Sequence, residues 1–334
     1  MTDFNKMDRR EFLGITGKAG GATLIATAAG MNLGMVQVAQ AAGKVSAHKF
    51  AILTDAHLFD QADHRYDGFL EKAVEDCNRM KPDFVLYCGD IAQSGKRSEL
   101  EKGQKILSKL TMPMKTIVGE HDFYLDMGAA WRDMFGAETW SFDHKGVHYI
   151  GLNSILVRDF WTAKGLTDVE RMGVMEELES HIAGPWGVRQ AQLDWLAKDT
   201  SRLAKDTPVV IFTHSPLWDY YPRWNFQTED APQIRKILSK FDKVMSFHGH
   251  VHQVVSNKIG NMSSIGCLST SWPWPYPDVK MPSEHRLNRN NPGGDFLDGL
   301  GAQFIDLDGG FNGTTKYTEW ADMLPAATKR GIKS

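Results

Sequence analysis

The chain has 334 residues, with 38 basic and 41 acidic side chains, 12 histidines and 3 cysteines. At 42% hydrophobic and 24% charged it has the composition of a globular protein, either two domains or one large α/β domain. This excludes a disordered chain, a collagen-like chain and a disulfide scaffold. A net charge of −3 lacks the basic excess of a general nucleic-acid binder, and no two cysteines form a C-x-x-C pair, which excludes a zinc ribbon.

The N-terminus reads Asp8-Arg9-Arg10-Glu11-Phe12-Leu13, then a weakly apolar Ala/Gly-rich stretch over residues 19–39, then Ala39-Gln40-Ala41. The paired arginines before x-Phe-Leu resemble a twin-arginine export signal, with Asp8 where Ser or Thr is usual. The resemblance implies cleavage after Ala41, handling by the twin-arginine export machinery, which moves folded proteins, and a periplasmic or otherwise exported destination. Gly17, Gly20, Gly21, Gly30 and Gly34 disfavour a packed N-terminal helix. The stretch is also short and glycine-rich against the ~20 strongly apolar residues of a membrane span. No later stretch could span a membrane, so the mature protein is expected to have no stable span.

From residue 49 onward short apolar runs alternate with helical patterns. Residues 50–54 read as a buried strand and 66–80 as a helix, with Phe69, Leu70, Ala73, Val74 and Cys77 on one face. Strand 84–88, helix 98–110 and strand 114–118 follow. Residues 140–142 and 147–152 form a hairpin around Lys145-Gly146. Helix 189–203 precedes strands 209–212 and 244–247. Hairpins close the chain: 253–258 with 262–268 around Gly260-Asn261, and 302–307 with 314–320.

In open α/β sheets the ligand site lies beyond the carboxyl ends of the strands. Here those ends carry Asp55-Ala56-His57, Gly89-Asp90, Gly119-Glu120-His121-Asp122, Thr213-His214 and His248-Gly249-His250-Val251-His252. A lone Asp-x-His is usually a solvated turn, and a lone His214 would usually be structural. Five successive strand ends bearing imidazoles and carboxylates point instead to a metal site. Such ligands without thiolate suit zinc, iron or manganese. Seven candidates are too many for one ion and divide into two sets sharing a bridging carboxylate. Two metals can clamp the attacking and leaving oxygens of an in-line displacement, which is phosphate ester hydrolysis. Peptide or amide hydrolysis is the second chemistry open to such a site.

The ordered set Asp55-x-His57, Gly89-Asp90, Gly119-Glu120-His121-Asp122, His214 and Gly249-His250-x-His252 resembles the calcineurin-like metallophosphoesterase superfamily over residues 50–270. Residues 140–154 and Gln192-Leu-Asp-Trp-Leu196 match as well. The resemblance implies an α/β fold, a four-layer α-β-β-α sandwich of two mixed β-sheets, with a dinuclear metal site at the strand C-terminal edge. It implies that Asp55, His57 and His252 hold the first metal, that Asp90 bridges, and that His214, His250 and residue 120 hold the second. His121 would face the phosphate, and a bridging hydroxide would attack phosphorus.

Two departures stand out. Glu120 occupies the place of the family's usual Asn. Either it ligates, so that three carboxylates face two ions, or it is too long and swings away; ligation is the favoured expectation, since the strand end points it at the site. Gln93 and Ser94 stand where protein Ser/Thr phosphatases carry Asp and Arg, which disfavours a protein phosphatase and leaves a small-molecule phosphodiester or phosphomonoester as substrate. The competing function is a non-catalytic, metal-loaded binding module whose hydrolysis is blunted by Glu120.

The expected organisation is a signal over 1–41 and a phosphoesterase domain over 42–334, with an insertion near 156–187 and a C-terminal β-hairpin region. Trp218, Tyr221 and Arg223, just past His214, are the candidate substrate-binding residues. Residues 283–301 read as a long loop carrying Arg286 and Arg289. Cys77 and Cys88 could pair in an oxidising compartment, but read more simply as separate core residues.

Overall fold

The computed structural model describes residues 44–158, 165–177, 185–274 and 299–319. The expected export signal over residues 1–41, Arg286, Arg289 and most of the 283–301 loop lie outside the described residues. Two mixed sheets form the centre. Strands β1 (His48–Leu53), β2 (Phe84–Tyr87) and β3 (Met114–Thr116) run parallel; β12 (Gly301–Leu307) adds antiparallel beside β1, and β13 (Gly313–Glu319) adds antiparallel beside β12. The second sheet has the order β10 (Ser256–Ile259), β11 (Met262–Gly266), β9 (Val244–His248), β8 (Val209–Thr213), β5 (Val147–Leu152) and β4 (Trp140–His144). Its central pairs, β5–β8, β8–β9 and β9–β11, are parallel.

The alternation of side chains along each strand builds the layers. Phe50 and Ile52 of β1 meet Val210 and Phe212 of β8 and Phe247 of β9 in a core between the sheets. Ala51 and Leu53 point the other way, into helices α1 (Arg65–Met80) and α2 (Arg97–Leu107). Val209 and Ile211 face Leu193 and Leu196 of α6 (Arg189–Thr200) and Ile234 and Leu238 of α7 (Ala231–Leu238). The result is helix, sheet, sheet, helix. The strands are apolar on both faces because both faces are covered.

Helix α1 shows why the local pattern was readable. The His64 ring accepts a hydrogen bond from the Tyr66 N–H at its start, and Lys81 closes it with φ of 49°. Leu70, Ala73, Val74 and Cys77 form its buried stripe. Cys77 packs on the helix side of the first sheet and Cys88 between the sheets, and both are free thiols. Short helices escaped the periodicity: α3 (Glu120–Phe123), α4 (Ala129–Phe135), α5 (Asp168–Glu176) and α7. Helix α5 lies within the expected insertion, which a two-stranded ribbon, β6 (Leu156–Val157) with β7 (Trp186–Gly187), closes at its base. Among the described residues no helix is long and apolar enough to cross a membrane.

The second sheet carries a buried ionic lock. His148 sends Nδ1 to Asp143 (2.7 Å) and Nε2 to Asp199 (2.8 Å). Burial opposes its charge, but the two carboxylates outweigh it and hold the ring at about 9. A raised folded pKa stabilises fully below the ordinary value of 6.5 and is lost as pH climbs through the folded value. Wild-type stability should therefore fall by up to about 3 kcal/mol between pH 6 and 10 through this group. Urea unfolding of wild type and His148→Gln across that range should show the fall in the first and its absence in the second.

Candidate metal centre

All seven candidate ligands sit at one sheet edge, and all are buried. The backbone there is unusual. Asp55, His57, Asp90, His250 and His252 have φ of 55°, 46°, 56°, 60° and 47°. Non-glycine residues rarely adopt this left-handed region, at a cost of order 1–3 kcal/mol each. Cross-loop bonds hold them there. Ala56 and His57 donate to the Asp90 carbonyl at 2.8 and 3.1 Å, and Asp55 donates to the Gly89 carbonyl at 3.0 Å. The His250 N–H reaches Asp55 Oδ1 at 3.1 Å, and the His121 N–H reaches Asp90 Oδ1 at 3.0 Å. Two glycines permit the crowding. A Cβ at Gly249 would lie 2.2 Å from Thr54 Oγ1, and one at Gly89, with φ of +94°, would lie 2.5 Å from His214 Nδ1.

Two ligand sets result: Asp55, His57 and His252 in one, and Asp90, Glu120, His214 and His250 in the other. Glu120 turns into the site, with Oε2 2.8 Å from His214 Nε2 and Oε1 2.9 Å from His250 Nδ1. Asp90 Oδ2 lies 3.0 Å from His214 Nε2 and 3.7 Å from His57 Nε2, so it touches both sets.

The outer nitrogen of each ring is anchored, which fixes its tautomer. His57 Nδ1 donates to Gln93 Oε1 (3.1 Å), His214 Nδ1 to the Cys88 carbonyl (2.5 Å) and His252 Nδ1 to the Trp272 carbonyl (2.6 Å). His250 is reversed: Nε2 donates to the Trp224 carbonyl at 3.4 Å, leaving Nδ1 inward. So held, each ring turns its other nitrogen to the centre, where the Nε2 atoms of His57 and His252 approach to 3.1 Å. Among the described residues, Asp90 Oδ2, Glu120 Oε2 and His214 Nε2 are buried with no aligned hydrogen bond, crowded against one another at 2.8 and 3.0 Å. Converging buried acceptors are costly unless a cation joins them. The donor set therefore fits metal ions, two of them.

The electrostatics are those of a tightly packed cluster of opposite charges: burial opposes a charged His214, but Asp90 and Glu120 raise it well above its ordinary value. Burial opposes ionisation of Glu120, yet His250 and His214 hold its carboxyl well below the ordinary range. Burial pushes His57 well below its ordinary value, with His121 and His252 adding to the effect, which keeps a lone pair free. Burial also works against a charged His121, but Asp90 and Glu120 raise it overall. Its Nδ1 donates to the Gln93 carbonyl at 2.5 Å, and its ring stands edge-on to His57 at 4.5 Å between centroids.

The aromatic surroundings differ in part from the sequence expectation. Trp218 lies under the Arg235 guanidinium of α7, 5.4 Å from the ring centroid. Arg223 is in an exposed 3₁₀ turn, Pro222–Trp224. Tyr221 is buried edge-on against Trp224 at 5.1 Å, in the wall behind His250. The rings nearest the ligands are others: Trp272, 4.3 Å from His57 and 5.0 Å from His252, and Trp186, 4.9 Å from His250. Gln93 was read only as a departure from a phosphatase motif, yet it holds His57 through its amide and His121 through its carbonyl. Its place three residues after Asp90 was the signal available.

The family profile for calcineurin-like phosphoesterase matches residues 48–254, more than half of the chain. A probable glycerophosphodiester phosphodiesterase GpdQ of Arcobacter nitrofigilis is 23% identical over 214 residues, 60% of this chain and 71% of that protein. A probable cyclic nucleotide phosphodiesterase of Synechococcus sp. is 23% identical over 276 residues, 80% of this chain and 96% of that protein. Among solved structures, a dimetal phosphatase from Danio rerio superposes with a TM-score of 0.53 at 14% identity, covering 80% of this chain and 98% of that one. A purple acid phosphatase from yellow lupin (Lupinus luteus) gives 0.56 at 12% identity, covering 83% and 52%. These superpositions carry the fold, and the profile match together with the ligand geometry carries the family: the chain belongs to the calcineurin-like phosphoesterases and is a hydrolase of phosphoric esters.

Proposed function

We propose that the protein is an exported, two-metal phosphodiesterase acting on a small-molecule phosphodiester, with phosphomonoesters as secondary substrates. The observation that carries the reading is the convergence of buried atoms of Asp90, Glu120 and His214, with no aligned hydrogen bond among the described residues, beside the paired Nε2 atoms of His57 and His252. Both similar curated proteins bear phosphodiesterase names, which favours a diester.

Asp55, His57 and His252 would hold one ion and Glu120, His214 and His250 the other, with Asp90 placed within reach of both sets. When bound, two ions lower the pKa of an attacking water and neutralise charge on the phosphoryl oxygens. Iron, manganese and zinc all suit imidazole and carboxylate ligands. His121 is held by Gln93 at Nδ1, so Nε2 is free to pass a proton to the leaving oxygen. Trp272 walls the first ligand set and keeps water from its flank. The chain up to Ala41 serves as a cleaved twin-arginine signal, so the folded domain would be exported to the periplasm with its ions in place.

A panel of phosphodiesters and phosphomonoesters, assayed with chelator-stripped protein reloaded with Mn, Zn or Fe, tests the function. Turnover of diesters that returns with metal is expected. Loaded protein that binds phosphoesters without turnover would leave only a binding module.

Glu120 makes its own prediction. It adds a third carboxylate to the site, so Glu120→Asn should weaken the second ion's binding by about 10–100-fold and leave the first intact. Metal titration by calorimetry reads the two sites separately, and unchanged affinity at both would show that the third carboxylate adds nothing to metal binding.

A further inference from the structure

We infer that Glu176, on the inserted helix α5, is a positioning residue for His121. The inference rests on the proposed role of His121 as proton donor. Helix α5 is a built element with its own start. The Thr167 hydroxyl accepts from the Glu170 N–H, and the Glu170 carboxylate accepts from the Thr167 N–H and hydroxyl at 2.9 and 2.8 Å. Met172 and Met175 are buried in the core shared with α1, α2 and α4. Between them and the helix start, Arg171 donates from Nε to the Tyr124 carbonyl (2.7 Å) and from Nη2 to the Leu125 carbonyl (2.6 Å). Those two carbonyls directly follow α3, the short helix that carries Glu120 and His121. The insertion is thus fastened to the back of the catalytic turn.

That fastening brings the last residue of α5 to the imidazole. Glu176 Oε2 lies 3.8 Å from His121 Nδ1. The oxygen is buried and has no hydrogen-bond partner. A negative charge at a helix C-terminus is on the wrong end of the helix dipole. Burial raises its carboxyl above the ordinary range, His121 is the neighbour that favours its charge, and Glu99 and Glu120 both repel it. A local rule broken beside a site is where function is expected.

The role follows from the geometry. The Nδ1–H of His121 already points at the Gln93 carbonyl. A carboxylate on the same side adds a second acceptor and resists rotation of the ring. It keeps Nε2 turned toward Asp90 and His57, with which His121 forms one cluster. The 3.8 Å separation is longer than a hydrogen bond, as catalytic contacts often are before substrate tightens them. In the step itself a water oxygen bonds to phosphorus and gives up a proton to solvent, while the P–O bond to the leaving group breaks and its electrons stay on the leaving oxygen. That oxygen takes the Nε2 proton, and the ring is left neutral with its Nδ1–H still held by Gln93 and Glu176.

The test compares two diesters that differ in their need for that proton. The phenolate of bis(p-nitrophenyl) phosphate leaves without one, and the phenolate of diphenyl phosphate gains from one. Glu176→Gln should lower kcat for diphenyl phosphate by about 10–100-fold, the range of residues that orient a reacting group. It should leave KM, metal content and kcat for bis(p-nitrophenyl) phosphate within about 2-fold, and Glu176→Asp should recover part of the loss. Equal losses on both esters, or no loss on either, would overturn the inference. His121→Asn is run beside it. A leaving-group-dependent loss in His121→Asn without one in Glu176→Gln overturns this inference alone. No such loss in His121→Asn overturns the proton-donor role and this inference with it.

Discussion

Asp90→Asn is expected to abolish hydrolysis, with kcat/KM down by at least about 10³-fold, or about 4 kcal/mol of lost transition-state stabilisation. Asp90 reaches both ligand sets, 3.0 Å from His214 Nε2 and 3.7 Å from His57 Nε2, and it lies nearer to the second set than Asp55, whose Oδ1 is 3.9 Å from His214 Nε2. Its Oδ2 is buried beside His214 Nε2 with no aligned hydrogen bond among the described residues, which leaves it placed to share positive charge at the centre. Asparagine keeps the shape but removes the negative charge, and its amide must present either a neutral oxygen or an N–H donor to the centre. The Oδ1 bond from the His121 N–H can survive through the amide oxygen, so the fold should hold. Metal content should drop from two ions per chain to one or none. Metal analysis beside steady-state kinetics on a diester checks both. A variant that kept two ions and activity within 10-fold would remove Asp90 from its bridging role.

The second large effect belongs to His121. His121→Asn should lower kcat by about 10²–10⁴-fold, the usual worth of a positioned proton donor, with KM little changed. The side chain is not needed to hold the ions: Glu120 and its partners converge without it. Two ions per chain should therefore remain. That combination, full metal content with low turnover, separates a proton donor from a ligand. Loss of an ion in His121→Asn would make it a ligand instead, a reading its proximity to His57 and Asp90 makes worth excluding.

The sandwich was legible because its strands are apolar on both faces and its long helices have one apolar stripe. Phe50-Ala-Ile-Leu-Thr54 could be read as a buried strand without its partners, and Leu70 to Cys77 as a helix face. The strand-end residues were legible for a related reason, since parallel strands deliver their C-terminal loops to one edge. Glu120 was open between two orientations, and the structure turns it inward onto His214 and His250.

What pattern could not show was tertiary. Trp218 and Trp272 are both aromatic residues a few positions beyond a ligand, and nothing local separates them. Only the packing sets Trp218 under Arg235 and Trp272 against His57. Helix α5 is nine residues long and opens from a charged stretch, so it has too few turns for a periodic signal. Its value to the site lies in Arg171 and Glu176, whose partners are about 50 residues earlier in the chain. The left-handed backbone at five ligands is likewise set by cross-loop bonds between distant segments and not by residue type.

The central claim is that one buried edge holds two ions bridged by Asp90. Anomalous diffraction from crystals of the Mn-loaded or Zn-loaded protein tests it most directly. The account predicts two peaks about 3.5–4 Å apart, one among Asp55, His57 and His252, the other among Glu120, His214 and His250, with Asp90 between them. A single peak, or two that do not share Asp90, would contradict it.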